Sequence, residues 1–216
     1  MAKGKGKAEK MTQEVAHPLA VLGNATTSSA NGEAWHTWLL LAGILLFTAT
    51  LYWPALGNGF TNLDDDVYVT QNQDLPFNGK NLHTLTTKEV AGNFHPVTMW
   101  SLSSSRGTDA KQAPDPLPFH RTNLLLHLFN TALTFYLGRR LRFGVWASAL
   151  AALFFAIHPL HVESVAWVSG RKDVLYAAFF LSGLIAYTRA RTRSTAAIKA
   201  PAFILVSFNS LSGCDS

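Results

Sequence analysis

Cysteine and charge are both scarce in this chain of 216 residues. Charged side chains make up 14% of it, against about 25% in an average soluble domain. The single cysteine, Cys214, excludes a disulfide framework and a paired-cysteine metal site within one chain. Apolar residues are abundant at 48%, and they are collected into runs rather than spread evenly. That distribution predicts a membrane protein.

Four apolar runs are candidates for transmembrane helices, which need about 20 apolar residues each. The clearest run is 37–56 and the next is 143–160. Two weaker runs are 120–138 and 174–188. A last apolar run, 201–211, is too short to span a membrane alone.

Basic residues give these runs an orientation. Taken in chain order, the runs have basic clusters before the first, between the second and third, and after the fourth. These clusters are Lys3, Lys5, Lys7 and Lys10; Arg139, Arg140 and Arg142; and Arg189, Arg191, Arg193 and Lys199. If all four runs span, the positive-inside rule places the three clusters and the N-terminus in the cytoplasm. The loops at about 57–119 and 159–173 are then external, and we expect the protein in the inner (cytoplasmic) membrane.

The predicted fold is therefore an all-α polytopic membrane protein with about four transmembrane helices and a partial fifth, since helices satisfy their own backbone in lipid. We expect short amphipathic helices in the external loop, near 79–92 and 97–105. Residues 1–35, rich in Lys, Gly, Ser and Thr, are predicted to be a flexible cytoplasmic tail. Residues 36–200 are the predicted membrane domain, and 201–216 a truncated or frame-shifted end.

Three adjacent aspartates, Asp64, Asp65 and Asp66, follow the first run in the stretch FTNLDDDVYVTQN. Because neighbouring carboxylates repel one another, their placement requires a cause. A solvated turn is the simplest interpretation, whereas a carboxylate near a membrane surface can also serve as a general base. A calcium loop is disfavoured, because the alternating ligands, central glycine and distal glutamate of an EF-hand do not follow.

A stripe of polar residues lies on the predicted helix at 120–138, formed by His120, Asn123, His127 and Asn130. On a helix these positions fall within a stripe about 80° wide. Polar groups facing lipid are costly, so the stripe should face protein or a watery cavity. Interhelical hydrogen bonding and a direct part in a ligand site are both compatible with this pattern.

Three residues in the predicted short external loop, His158, His161 and Glu163, are of types that bind metals. The zinc signature HExxH is absent, however, and Pro159 interrupts the helix that would present both rings. A structural or substrate-contact role is therefore favoured over a metal.

Two cations, Arg171 and Lys172, open the predicted fourth span on the external side. One interpretation pairs them with Glu163 or Asp173. The other is that they bind an anion, most naturally the phosphate of a lipid head group.

Four stretches resemble, in order, a bacterial family of multispanning membrane proteins that usually carry tetratricopeptide repeats: FTNLDDDVYVTQN, NFHPVTMWSLS, FHRTNLLLHLFNTALTFYL and ALFFAIHPLHVESVAWVSGRKDVLYAAFFLSGLIAY. That family is similar to the eukaryotic transmembrane and tetratricopeptide-repeat O-mannosyltransferases, of the C-type glycosyltransferase superfamily. The resemblance runs from about residue 37 to about residue 190 and concerns the N-terminal portion of such proteins. A repeat period of about 34 residues is not found in this sequence.

The resemblance implies a transferase that moves a hexose, such as mannose, from a polyprenyl-phosphate donor to a hydroxyl of a protein or other acceptor on the external face. By motif, Asp64 and Asp65 match an acidic pair at the catalytic centre, where a general base acts. Arg171 and Lys172 would stabilise the departing phosphate. The other implied substrate-binding residues are Asn93, His95, His120, Asn123, His158, His161 and Glu163. No metal ligand and no nucleic-acid partner are predicted, and the need for a divalent metal stays open.

Two other classes of function fit parts of the sequence. One is a non-catalytic membrane anchor or scaffold that mediates protein–protein interaction, for which substitution of Asp64 or Asp65 would be harmless. The other is a transport or proton-relay protein that uses the polar stripe and the aspartates. A relay needs ionisable groups spread through the membrane depth, whereas a transferase needs them together at the external surface.

Overall fold

The computed structural model describes residues 35–61, 64–109 and 112–193, which are mostly helical. No strand occurs in those ranges, so the all-α prediction is confirmed; one isolated antiparallel pair joins Val90 and Asn93. The predictions for 1–35 and 201–216 lie outside the described residues, apart from residue 35. The chain divides into two units, residues 1–42 and 43–216, and the packing below belongs to the second.

The described ranges contain seven α-helices. In chain order they are α1 (35–52), α2 (Gly79–Thr87), α3 (Pro96–Arg106), α4 (Leu117–Arg140), α5 (Val145–Ile157), α6 (Pro159–Ala166) and α7 (Arg171–Arg193). A 3₁₀ turn, Trp53–Gly57, follows α1 directly. A π-helical turn, Asp66–Thr70, begins at the third aspartate of the acidic run.

The central helix is α4, which contacts α3, α5, α6, α7 and the 3₁₀ turn. Its polar stripe is buried, which confirms that these residues face protein rather than lipid. Three members of the stripe, Asn123, Asn130 and His127, lie 2.8–3.0 Å from the backbone oxygens of Trp167, Val174 and Ala156 respectively. The contacts to Val174 and Ala156 are interhelical hydrogen bonds, and the contact to Trp167 joins α4 to the segment between α6 and α7. A part of the stripe in a ligand site stays a prediction.

One described helix is long and apolar enough to cross a membrane, namely α1 with its 3₁₀ turn, Trp35–Gly57. The run predicted at 143–160 is broken, because Pro159 lacks an N–H and holds His158 in extended backbone (φ −62°, ψ 130°). α5 and α6 meet there at a 56° bend, and taken together they are a second candidate. α4 and α7 have 24 and 23 residues but are not apolar enough, so the prediction of about four spans is not confirmed.

The segment between the 3₁₀ turn and α4 has a hydrophobic core of its own. That core includes Tyr68, Val69, Leu75, Leu85, Val90, Met99, Leu102, Phe119 and Val168. α3 lies at the predicted position, whereas α2 begins at the predicted residue but ends at Thr87, because Lys88 has extended backbone (φ −100°, ψ 135°). The two helices pack against each other. Asn78 caps α2 by accepting a hydrogen bond from the N–H of Asn81 at 2.8 Å, and Pro96 fixes the first turn of α3. This predicted external loop is therefore a folded platform.

The close approach of α4 and α5 requires a glycine at position 138. A Cβ there would lie 2.9 Å from Oγ and 3.1 Å from Cβ of Ser148. We expect Gly138→Ala to lower the free energy of unfolding by about 1–3 kcal/mol, because the helices must move apart. Urea titration in detergent micelles measures this change.

The matched control is Gly183→Ala in α7, where an added Cβ meets nothing within 4 Å. Because alanine is the better helix former by about 1 kcal/mol, this variant should be as stable as the unmodified protein or more so. Equal effects of the two substitutions would contradict the tight α4–α5 packing.

Candidate functional site

Asp65 connects the predicted external loop to the segment just before α7. Its side chain is fully buried, and Oδ1 accepts hydrogen bonds from the backbone N–H (2.9 Å) and the hydroxyl of Ser169. Oδ2 accepts from the backbone N–H (3.0 Å) and the hydroxyl (3.1 Å) of Thr61. Both oxygens are thus satisfied, as a buried carboxylate requires. We call the set Thr61, Asp65 and Ser169 the Asp65 clamp.

The neighbouring residue, Asp64, is half-buried, and its charge acts on the hydroxyl of Tyr68. Burial first, and then the charge of Asp64, raise the pKa of the Tyr68 hydroxyl, while a hydrogen bond from the Asn93 side chain opposes the rise. The hydroxyl of Tyr68 lies 2.9 Å from Nε2 of His95, and the two rings are stacked with centroids 5.4 Å apart. Two predicted site residues, Asn93 and His95, therefore hydrogen-bond with the tyrosine on which the charge of Asp64 acts.

Lys172 adds a positive charge to this group. Burial first, and then the charge of Lys172, lower the pKa of His95 from its usual 6.5, so both favour the neutral imidazole. The ammonium lies 6.0 Å from the centroid of the Trp167 ring, within reach of a cation–π interaction. Asp64, Tyr68, Asn93, His95 and Lys172 are called the surface cluster below.

Arg171 is fully buried and points between α3 and α4. Nε donates to Oδ1 of Asn123 at 2.8 Å, and Nη2 donates to the carbonyl of Phe119 at 2.7 Å. Nη1 donates to the carbonyl of Ser101 and to Oγ of Ser105, both at 2.8 Å. Burial lowers the pKa of the guanidinium to about 9, which still leaves it charged at pH 7. A group so enclosed is not open to a phosphate here, so the geometry favours Lys172 of the two predicted cations.

The predicted site residues on or beside α6 form a second group. His161 lies with ring centroids 5.6 Å from His127 and 4.4 Å from Phe155, and 5.9 Å from His158. Glu163 is exposed. Among the described residues, no group of three His, Cys, Asp or Glu side chains is placed to hold a metal ion.

The predicted site residues thus separate by environment. The surface cluster contains Asp64, Asn93, His95 and Lys172. The buried ones are Asp65, His120, Asn123 and Arg171. Sequence reasoning missed Tyr68, whose place about one turn after Asp64 was the available signal. The roles of all these residues stay predictions.

The surface cluster joins chemical groups suited to moving a proton beside an anion. The carboxylate of Asp64 can accept a proton, and the ammonium of Lys172 can offset negative charge. The Tyr68–His95 pair is a neutral hydrogen-bonded unit that fixes the orientation of both rings.

Comparison with known proteins finds similarity to protein O-mannosyl-transferases. The chain is 43% identical over 88 residues to human protein O-mannosyl-transferase TMTC4, covering 35% of this chain and 12% of that protein. It is 28% identical over 173 residues to mouse TMTC3 (76% and 18%) and 33% identical over 148 residues to Tmtc2 of Drosophila melanogaster (64% and 16%).

The chain therefore spans between 12% and 18% of the length of these three curated relatives. They support the predicted resemblance to O-mannosyltransferases. Because all three are animal proteins, they do not support the predicted resemblance to a bacterial family. No family model matches the chain. No solved structure matches it either.

The two adjacent acids should differ in their effect on stability. Asp65→Asn places an amide N–H₂ against the donors of Thr61 or Ser169, so we expect the free energy of unfolding to fall by roughly 1–3 kcal/mol. Asp64→Asn should change it by less than about 0.5 kcal/mol. Chemical denaturation in detergent measures both, and equal losses would show that Asp65 is not a clamp.

The pKa of His95 reports whether the charge of Lys172 acts on its ring. NMR of the ring should give a pKa below 6.5, and Lys172→Gln should raise that pKa, because removing a nearby cation makes protonation easier. The stability gained by keeping His95 neutral is present above pH 6.5 and is lost as the pH falls below it. Lys80→Gln, an exposed lysine on α2, is the control. An unchanged His95 pKa in Lys172→Gln would show that the charge of Lys172 does not act on His95.

Proposed function

We propose that the chain forms part of a membrane glycosyltransferase that moves a hexose, such as mannose, from a polyprenyl-phosphate donor to a hydroxyl of a protein. The observation that carries this proposal is that the charges of Asp64 and Lys172 act on the two members of one hydrogen-bonded pair, Tyr68 and His95, which lie 2.9 Å apart. The relatives named protein O-mannosyl-transferases support the reaction class and a protein acceptor.

In the proposed reaction, Asp64 takes the proton of the acceptor hydroxyl as general base. The freed oxygen bonds to the anomeric carbon of the sugar. The bond between that carbon and the phosphate oxygen breaks, and its electron pair leaves with the lipid phosphate. Lys172 offsets the negative charge that develops on the phosphate.

The buried residues beneath the cluster have positioning roles in this proposal. The Asp65 clamp holds Ser169 against the predicted external loop, and Arg171 fixes the start of α7 to α3 and α4. Both fix the segment that carries Lys172, whose charge acts on His95. Correct placement of reacting groups contributes several kcal/mol to catalysis in general.

The proposed location is the cytoplasmic membrane, with the N-terminus in the cytoplasm and the surface cluster outside. The apolar helix Trp35–Gly57 supports insertion. A row of exposed apolar side chains on α5, Trp146, Leu150 and Phe154, supports contact with lipid or with other apolar protein surface.

Transfer by the reconstituted protein tests this proposal. In liposomes with polyprenyl-phosphate-linked radiolabelled mannose and a Ser/Thr-rich peptide, Asp64→Asn should lower the transfer rate by about 10²–10⁴-fold. Asp66→Asn is the matched control, because Asp66 accepts a hydrogen bond from Thr70 within its own turn. Label incorporation into the peptide is the readout.

Two results would contradict the proposal. One is an unmodified protein that transfers no sugar under these conditions. The other is an Asp64→Asn variant as active as the unmodified protein, which would leave the non-catalytic anchor as the better description.

A further inference from the structure

A polar groove of about 480 Å³ opens in the predicted external loop, in the size range of ligand sites. One wall is formed by residues 67 and 71–74, and the other by 85 and 88–91. We call it the loop groove. The cluster described above does not use its polar side chains, so the groove requires a separate explanation.

The loop groove lies beside the surface cluster at both walls. Val67, on the first wall, directly precedes Tyr68 and follows Asp64 by three residues. Val90, on the second wall, is joined to Asn93 by two backbone hydrogen bonds of 3.0 and 3.1 Å. A ligand lying along the groove would therefore extend towards the surface cluster, of which Tyr68 and Asn93 are members.

The charges of the groove do not suit an anionic donor. Lys88 and Asp74 neutralise each other in an ion pair of 2.7 Å, which leaves the carboxylate of Glu89 at the rim. Glu89 therefore gives the groove a net negative character. A lipid phosphate would be repelled there, whereas an uncharged or basic ligand would not.

The side chains of the groove match the backbone of a polypeptide. Gln71 and Gln73 are exposed, and each amide offers both a donor and an acceptor, as alternate N–H and C=O groups of an extended chain require. Leu85 and Val90 form an apolar floor for small side chains. Among the described lining residues none is aromatic, so no flat ring is present on which a sugar would lie.

We propose that the loop groove binds the acceptor polypeptide in an extended conformation and leads its Ser or Thr hydroxyl to Asp64. This inference rests on the proposed function, which supplies the need for a hydroxyl acceptor, and it assigns the subsite that the acceptor occupies.

Peptide binding by the full chain in nanodiscs tests the groove without relying on turnover. The probe is a fluorescein-labelled peptide of Thr, Ala and Lys, measured by fluorescence anisotropy. Gln71→Ala combined with Gln73→Ala should weaken its binding roughly tenfold, the effect of losing two neutral hydrogen bonds. Val67→Trp, at a position 48% exposed, should weaken binding by filling the groove. Gln112→Ala removes an exposed amide outside the groove and should have no effect.

The possible results separate this inference from the proposed function. Peptide that binds the groove variants as tightly as the unmodified protein, or that does not bind the unmodified protein, overturns the inference. Displacement of the peptide by methyl mannoside also overturns it, since the groove would then be a sugar site. Asp64→Asn should keep peptide affinity within about twofold while transfer is lost. If binding depends on the groove but transfer does not depend on Asp64, the groove is still the acceptor site, whereas the proposed base and the delivery of the hydroxyl to Asp64 are wrong.

Discussion

The buried carboxylate of Asp65 is the constraint on which the candidate site depends. A charge removed from water must be met by hydrogen-bond donors, or the fold loses several kcal/mol. Here Thr61 and Ser169 supply those donors, although Ser169 is 104 positions away along the chain. Satisfying the carboxylate therefore fixes the segment before α7 against the predicted external loop, and the start of α7 follows two residues later.

In two pairs of adjacent like charges, Asp64–Asp65 and Arg171–Lys172, one member is buried and the other is only partly covered. The buried members, Asp65 and Arg171, are also the hydrogen-bonded ones. Successive residues on a helix point about 100° apart, so both members cannot face the core. The inner members hold the elements together, which leaves the outer members for chemistry. A sequence motif of paired charges can thus combine structure and function.

The helical class, the short helices α2 and α3 and the burial of the α4 stripe could be predicted from local pattern, because periodicity reports which face is apolar. Which acid is buried could not be predicted, since that depends on the distant donors of Ser169. The place of Arg171 was likewise hidden, because its partners Ser101, Asn123 and Phe119 come from other helices. Tyr68 was missed since its neighbour His95 lies 27 positions away.

A double-mutant cycle on Asp65→Asn and Ser169→Ala tests the central claim most directly. Because the two side chains share a buried hydrogen bond, their effects on the free energy of unfolding should be coupled by about 1 kcal/mol or more. Additive effects, within about 0.3–0.5 kcal/mol, would show that the clamp does not join the two segments, and the arrangement of the surface cluster would then lack its physical cause.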